Sequence, residues 1–202
     1  RVKIDKTIVL DVENQAIQNQ SKLKYGEDGV YSKKGKDAYN LEQEFLEKDD
    51  AHFNEITQKL TPSQREILKP RRAKSRAKFQ NDLLAIQYKE NENYGKTVVE
   101  NSLQNAIELT DYNDLEDVNS AILRMDEAID NSPLSAEEGS GMKRASRSKV
   151  YSNFVLNMIK SGRPQDAREI LNKAKEAGNI EFSDAMPLEN ALRPSELQNK
   201  TR

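Results

Sequence analysis

The sequence predicts an all-α protein in which long antiparallel helices are followed by stacked helix pairs. Apolar residues recur every three or four positions along most of the 202-residue chain, which is the period of an amphipathic helix. The 8 Gly and 6 Pro residues are few, and we interpret them as helix punctuation. Mean hydropathy is −0.91 and 35% of the residues are hydrophobic. Because so few apolar residues cannot fill the core of a compact enzyme of this size, an elongated shape is expected.

Two amphipathic helices are predicted in the first 60 residues. The first is expected over residues 7–23, with an apolar stripe of Val9, Val12, Ala16 and Leu23 and with Asn19 where a further apolar residue would complete a heptad. The second is expected over residues 38–60, with a stripe of Leu41, Phe45, Phe53, Ile56 and Leu60.

A third helix is expected to begin at Pro62. Thr61 and Gln64 have the spacing of a capping box, in which each side chain bonds the backbone N–H of the other residue, and Pro favours the first helical position. Helical spacing then continues to about Leu109. Pro70 is expected to kink or break this helix, because it lacks a backbone N–H.

Shorter helices are predicted between residues 113 and 192. Their starts are marked by capping residues or by proline, at residues 113–116, Ser135 and Pro164. Gly139 and Gly141 are expected to weaken the first turns after Ser135. The helix that follows Ser135 is therefore expected mainly over residues 143–159.

Two segments of this region resemble parts of a tetratricopeptide (TPR) unit. Residues 126–133 resemble the end of such a unit, and residues 162–167 followed by Ala174 resemble its second helix. Small residues at those places let two antiparallel helices approach closely, although the spacing is not a clean period of about 34 residues. The chain is therefore predicted to contain a long-helix hairpin or rod region, a TPR-like region and a flexible tail, over residues 1–112, 113–192 and 193–202.

Residues 23–38 form a glycine-punctuated loop between the first two predicted helices. Its signature residues are Tyr25, Gly29, Lys34, Gly35 and Lys36. Gly26, Gly29 and Gly35 can each adopt positive φ at little steric cost, so the chain can reverse direction tightly here. A short hairpin turning at residues 28–29 is the alternative.

The candidate catalytic groups do not form a recognisable constellation. His52 is the only histidine, and Asp49 is its only nearby carboxylate, so we interpret it as a surface or boundary residue. A metal site of the zinc type would need more His or Cys ligands, and the sequence has no Cys. No phosphate-cradling or nucleophile motif is present. We therefore expect no enzyme activity, no catalytic, cofactor-binding or metal-binding residues, and no small-molecule substrate.

A basic segment is the other candidate site. Six basic residues occur within ten positions and no acidic residue lies among them: Lys69, Arg71, Arg72, Lys74, Arg76 and Lys78. Such a segment could contact nucleic-acid phosphates. The interpretation that we favour is a solvated helix face paired with the acidic residues of 42–50, because the net charge is −2 and no aromatic residues are interleaved for base stacking.

The order of these elements is similar to that in bacteriophage virion proteins of the internal (ejection) or tail-associated type. There, a leucine–tyrosine pair, a glycine and a lysine–glycine–lysine turn connect a first helix to long charged helices, as residues 23–38 do here. Residues 60–65, 80–108 and 155–164 also fit that pattern. The resemblance covers most of residues 20–180, and the loop is its most informative part.

The resemblance implies a structural, non-enzymatic virion component that mediates assembly through helix packing and contributes to genome ejection. In that family any lytic activity lies in separate domains. It also implies location in the phage particle, a soluble state in the host cytoplasm before assembly, and portal, tail or internal virion proteins as partners. A homo-oligomer is expected because thin helical rods expose apolar stripes that need partners.

Other interpretations remain open from the sequence. The first is a nucleic-acid-binding helical module that uses residues 69–78, so DNA is a possible partner. The others are a TPR-like peptide binder formed by residues 113–192 and a hydrolase. No apolar run approaches the roughly 18 residues of a membrane helix, so no transmembrane segment is expected. The chain begins at Arg1 without an initiator Met, and it is therefore expected to be a piece of a longer protein.

Overall fold

The computed structural model describes residues 2–199, with side chains described for residues 3–194. This part of the chain is all-helical, with 84% helix and no strand, which confirms the predicted all-α class. Its seven α-helices are α1 (Val2–Tyr25), α2 (Leu41–Thr57), α3 (Pro62–Leu109), α4 (Leu115–Asp130), α5 (Ala136–Lys160), α6 (Pro164–Glu176) and α7 (Phe182–Asn199). None of the described helices is both long and apolar enough to cross a membrane.

The chain is divided into two compact units, Arg1–Tyr94 (unit 1) and Gly95–Arg202 (unit 2), and the division falls within α3. Unit 1 contains α1, α2 and the first part of α3. Unit 2 contains the rest of α3 together with α4 to α7. The boundary expected from the sequence, after residue 112, lies beyond the end of α3 instead, and the division into a long-helix region, a TPR-like region and a tail stays a prediction.

Three helix ends have the capping chemistry that the sequence predicts. At the start of α3, the backbone N of Gln64 donates to Thr61 Oγ1 at 3.4 Å and the backbone N of Thr61 donates to Gln64 Oε1 at 3.0 Å. Ser135 and Glu138 form the same reciprocal pair at the start of α5. Pro164 opens α6 after Gly162, whose φ of +73° is the left-handed conformation that ends α5.

Glu138 has a second partner in unit 2. Lys96 Nζ lies 2.9 Å from Glu138 Oε1. The pKa of Glu138 is lowered to about 2, mainly by this hydrogen bond and next by the one from the Ser135 backbone. The carboxylate is therefore charged at neutral pH, which suits its place at the positive end of α5.

The break that was one alternative at Pro70 is wrong, and the helix after Ser135 includes turns that precede its expected main span. Pro70 lies inside α3, which continues through it. Buried Leu68 precedes it and the ion-paired Arg72 follows it, so packing on both sides holds the helix across the lost hydrogen bond. The helix after Ser135 begins at Ala136 rather than near residue 143. Its capping box stabilises the first turns in spite of Gly139 and Gly141.

The other differences lie at helix ends. α1 is longer than residues 7–23, and α2 is shorter than residues 38–60. The hairpin alternative at residues 28–29 is wrong, because the loop forms two 3₁₀ turns, Val30–Ser32 and Gly35–Ala38. α7 enters the predicted tail and reaches Asn199, while residues 200–202 of that tail lie outside the described residues.

Unit 1 is a three-helix arrangement in which α2 runs antiparallel to α1 and α3. Side chains of α1 bond side chains of α3 at a nearly constant separation of 58 or 59 positions along the chain, in the pairs Asp5–Gln64, Glu13–Arg71 and Lys24–Asp82. Because this separation does not change along the helices, α1 and α3 run parallel. Between α2 and α3 the order of the partners is reversed: Asp50 bonds Arg76, whereas Glu42, earlier in α2, bonds Gln80, later in α3. α2 and α3 therefore run antiparallel.

The apolar stripes predicted for the first two helices, together with residues of α3, form two clusters in unit 1. One cluster joins Val9 and Val12 of α1 to Leu60 and Leu68, with Phe53 and Ile56 packed against it. The other joins the loop to α2 and α3 through Val30, Ala38, Leu41, Phe45, Leu46, Phe79 and Leu83. The stripes are therefore buried within the chain, each full side-chain burial contributing about 1.5–3 kcal/mol.

Unit 2 has one apolar core, to which all of its helices contribute. Its largest fully buried side chains are Phe154, Met125, Leu171 and Leu192. Ala167 and Ala174, the small residues noted in the sequence, are buried where α6 meets its neighbours. Ser148 of α5 is fully buried, accepts a hydrogen bond from the backbone N of Glu181 at 2.8 Å and donates to Asp184. It thus fixes the start of α7 against α5.

Alanine replacements of two helical glycines in unit 2 test this packing. At Gly141 a Cβ would meet no heavy atom within 4 Å, so G141A is expected to stabilise the protein by about 0.5–1 kcal/mol, because Ala loses less backbone freedom on folding. At Gly95 a Cβ would lie only 2.8 Å from Pro133 Cδ, so G95A is expected to destabilise it by about 1–3 kcal/mol. Urea unfolding followed by circular dichroism measures both. Equal stabilisation by the two variants would contradict the contact between Gly95 and Pro133.

Candidate functional site

The basic segment 69–78 lies in the part of α3 that belongs to unit 1, and its three arginines are held by carboxylates. Arg71 Nη1 lies 2.6 Å from Glu13 Oε2 of α1. Arg72 bridges two consecutive carboxylates of α2, with Nη1 2.8 Å from Asp49 Oδ2 and Nη2 2.7 Å from Asp50 Oδ1. Arg76 Nη2 lies 2.7 Å from Asp50 Oδ2. Half of the predicted phosphate-contacting residues therefore take part in intramolecular ion pairs.

The pair between Arg72 and Asp49 is the most buried of these. The side chain of Arg72 is 9% exposed and that of Asp49 is 1% exposed. Gln20 of α1 donates to Asp49 Oδ2 at 3.0 Å, and the Arg72 guanidinium lies over the Phe53 ring with Cζ 4.2 Å from its centroid. Three helices therefore meet at one charged pair, in which Asp49 Oδ2 accepts the hydrogen bonds from Gln20 and Arg72. The other oxygen, Asp49 Oδ1, is buried and has no hydrogen-bond partner among the described residues.

Asp50 and Arg76 form a second, more exposed fork. Arg76 donates through Nε at 2.9 Å and through Nη2 at 2.7 Å to the two oxygens of Asp50. The hydrogen bond from Arg76 holds the pKa of Asp50 below its ordinary value, against the opposing effect of burial. The same hydrogen bond raises the pKa of Arg76. Both groups are thus charged at neutral pH, in the bidentate geometry that gives such pairs their specificity.

The lysines of the basic segment differ from its arginines. Lys69, Lys74 and Lys78 are exposed, and none of the ion pairs found among residues 3–194 includes them. Lys74 and Lys78 are four residues apart and share a helix face. Contact with nucleic acid through the six residues stays a prediction, and these lysines are the charges that remain available for it.

The signature loop is a tightly packed reversal between α1 and α2. A Cβ at Gly26 would lie 2.6 Å from the carbonyl O of Lys22, and one at Gly29 would lie 2.7 Å from that of Lys24, so both positions need glycine because backbone approaches closely. Only Gly35 of the three uses positive φ, at +56°. Gly26 and Gly29, which could adopt positive φ at little steric cost, do not adopt it.

The side chains of the loop are partly anchored on α3. Lys34 Nζ lies 2.7 Å from Glu90 Oε1, whereas Lys36 is exposed. Tyr25 and Tyr31 stack with ring centroids 5.2 Å apart and rings inclined by 10°, and they are 68% and 50% exposed. The loop therefore presents an aromatic pair on its outer side, while its glycines and Lys34 fix its course.

The carboxylate that could orient His52 in catalysis is bonded to other side chains. Asp49, the nearby carboxylate, is bonded to Gln20 and Arg72. His52 instead lines a cavity of about 380 Å³ with polar side chains of α1, namely Gln15, Gln18, Asn19 and Lys22. In the described part of the chain no group of three or more His, Cys, Asp or Glu residues could hold a metal ion.

Sequence reasoning missed a cleft that lies beside the basic segment. Phe53 and Thr57 of α2 face Arg65, Leu68 and Lys69 of α3 across a cavity of about 350 Å³. The four-residue spacing of Arg65 and Lys69 was a visible signal that both lie on one helix face. Their position opposite the end of α2 depends on the tertiary packing and could not be read from the pattern.

Comparisons with known proteins do not assign the chain to a family. No protein-family model matches it, and neither a curated protein nor a solved structure shows significant similarity to it.

The buried pair is expected to contribute strongly to stability. Replacing Asp49 with Ala leaves the guanidinium of Arg72 buried with Asp50 as its remaining partner, so D49A is expected to destabilise the protein by about 3 kcal/mol. Glu55→Ala removes an exposed carboxylate from the same helix and is expected to change stability by less than about 0.5 kcal/mol. Urea unfolding gives both values, and similar losses in the two variants would contradict the central position of the pair.

Binding to duplex DNA distinguishes the two interpretations of the basic segment. Because three of its six cations are paired with carboxylates, we expect no binding in a fluorescence titration even at about 50 mM salt. Binding that weakens steeply by about 200 mM salt, and that is lost in the double variant Lys74→Gln/Lys78→Gln, would instead support a nucleic-acid-binding module.

Proposed function

We propose that this chain is a structural, non-enzymatic component of a bacteriophage virion, of the internal or tail-associated type, that mediates assembly through helix packing and contributes to genome ejection. The observation that carries the proposal is the signature loop. The residues on which the resemblance depends are also those that shape the reversal: Gly29 lies against the backbone of α1, Gly35 has positive φ, and Lys34 bonds Glu90 of α3.

The order of elements around the loop supports the same proposal. In the virion proteins that the sequence resembles, this type of turn connects a first helix to long charged helices. Here the loop follows the 24-residue α1 and precedes α2 and the 48-residue α3. Charged residues make up 33% of the chain, and in unit 1 they link the helices to one another, which suits a protein built to hold helices in register.

We propose that α4 to α7 are stacked helix pairs of the TPR-like kind. Each of these helices packs on the next, and α5 also packs on α7. The buried small residues Ala167 and Ala174 allow α6 to approach its neighbours closely. The elongated shape of the whole chain stays a prediction from the sequence, as does the location of the protein in the phage particle after a soluble stage in the host cytoplasm.

The proposed self-association needs a different surface from the one expected. The stripes of Val9, Val12, Phe79 and Leu83 are buried within unit 1, so they are not available to a partner. The exposed apolar side chains of α1 include Ile4, Ile8, Leu10 and Ile17, and these four flank its buried stripe. We propose that these side chains contact a second copy or the portal, tail or internal proteins of the particle.

Sedimentation velocity over a range of concentrations tests this part of the proposal. We expect an oligomer, and the double variant Leu10→Glu/Ile17→Glu is expected to dissociate into monomers because it places charges in the contact. Asn54→Glu adds a charge on the exposed side of α2 and is expected to leave the oligomer intact. A wild-type monomer at every concentration, with the frictional ratio of a globular protein, would overturn both self-association and the elongated shape.

The virion assignment has its own test. Peptide mass spectrometry of purified phage particles is expected to detect this chain at a fixed ratio to the portal or tail proteins, and its gene is expected to lie beside theirs. Its absence from particles whose other components are detected would overturn the assignment.

A peptidoglycan-clearing assay with the purified chain is expected to show no clearing, and clearing would favour the hydrolase alternative.

A further inference from the structure

We propose that the cleft between the end of α2 and the first turns of α3 binds a carboxylate attached to a short apolar body. The cleft has a volume of about 350 Å³, which lies in the lower part of the range for small-molecule sites. It combines an apolar wall with two cations at its rim. This combination matches a ligand with one charged end and one apolar end.

The apolar wall belongs to the core of unit 1. Leu68 is 3% exposed and packs with the cluster that contains Val9 and Val12, and Phe53 packs against the same cluster. Arg72 extends this wall, since its guanidinium covers the Phe53 ring. The Arg72 N–H groups are bonded to Asp49 and Asp50, so Arg72 shapes the cleft and is not the group that would hold an anion.

The cations at the rim are Arg65 and Lys69. They are four residues apart on α3, both are exposed, and neither is in an ion pair found in the described part of the chain. Arg65 Nη2 donates to the carbonyl O of Gln58 at 3.1 Å. This bond holds the guanidinium at the mouth of the cleft and leaves other N–H groups of Arg65 for a ligand.

The surrounding charges favour a single negative charge. The first turn of α3 has no acidic residue, so the positive end of the helix adds to the field of the two cations. The backbone N–H groups of Thr61 and Gln64 are already bonded in the capping box. The side chains of Arg65 and Lys69 would therefore be the groups that hold an anion. Glu66 also lines the cleft and opposes a doubly charged phosphate more than a carboxylate.

The polar group on the opposite wall does not compete for the ligand. The hydroxyl of Thr57 donates to the carbonyl O of Phe53 at 2.8 Å, so its proton is directed into α2. A carboxylate between Arg65 and Lys69 would therefore place its apolar body against Phe53 and Leu68. Two sources have this chemistry: a free fatty-acid-like molecule, and the C-terminal residue of a protein chain with an apolar side chain.

Titration by two-dimensional ¹H–¹⁵N NMR tests the proposal on the full chain. Octanoate represents the free acid and N-acetylleucine represents a chain end, while octylammonium and octyl glucoside present a cationic and a neutral head group. We expect octanoate or N-acetylleucine to shift amide signals of residues 53–72, and the tighter of the two identifies the source. The cationic and neutral probes are expected to leave those signals unchanged.

A matched pair of variants locates the binding. Arg65→Gln/Lys69→Gln is expected to weaken binding at least about tenfold, because each charge-assisted hydrogen bond lost costs about this much or more. Lys74→Gln/Lys78→Gln removes two charges from the same helix outside the cleft and is expected to retain wild-type affinity. Lys69→Gln alone keeps the bond between Arg65 and Gln58, so it tests the rim even if the first double variant unfolds.

Three results would overturn the proposal. The first is that neither acid shifts the signals of residues 53–72. The second is that octyl glucoside binds as tightly as octanoate, which would show that the charge is irrelevant. The third is an equal loss of affinity in the two double variants, which would show that net charge rather than the rim residues attracts the acid.

Discussion

The buried ion pair between Asp49 and Arg72 is the interaction on which the arrangement of unit 1 depends. It joins α2 to α3 directly and α1 through Gln20. Removing two charges from water is costly, and the cost is offset only when the remaining hydrogen-bonding groups are also satisfied. The fork from Arg72 to Asp49 and Asp50, the Gln20 amide and the Phe53 ring offset part of that cost, while Asp49 Oδ1 is buried without a hydrogen-bond partner among the described residues. A helix shifted by one turn would leave these charges unpaired, so we infer that the pair specifies the register of the three helices.

Because Arg72 belongs to the basic segment 69–78, that segment has a structural role within unit 1. In composition it is a run of six cations suited to phosphates, but its three arginines are directed to the carboxylates of α1 and α2. The charges that remain for a partner are the exposed lysines, of which Lys69 lies at the cleft beside Arg65. The same helix packing that pairs half of the six cations with carboxylates therefore also forms an apolar recess beside Lys69.

Local signals in the sequence predicted helix ends well. The capping boxes at Thr61 and Ser135 and the Gly162–Pro164 junction are short-range interactions between residues within four positions of each other, and such interactions can be recognised without a fold. The break considered at Pro70, the late main span expected after Gly139 and Gly141, and the hairpin alternative differ from the structure for a common reason. In each case a local preference was judged alone, while the structure adds packing or capping that outweighs it.

The sequence by itself determined that the protein is all-α, which residues face the cores and where most helices begin, because periodicity and capping act over one or two turns. Only the tertiary structure decided what the charged residues do. Asp49 and Asp50 are 22 or 23 positions from Arg72, and Glu13 is 58 positions from Arg71. No local pattern selects among the 34 acidic residues the ones that meet these arginines, because their distance is set by the packing of α1, α2 and α3 around a shared apolar interior.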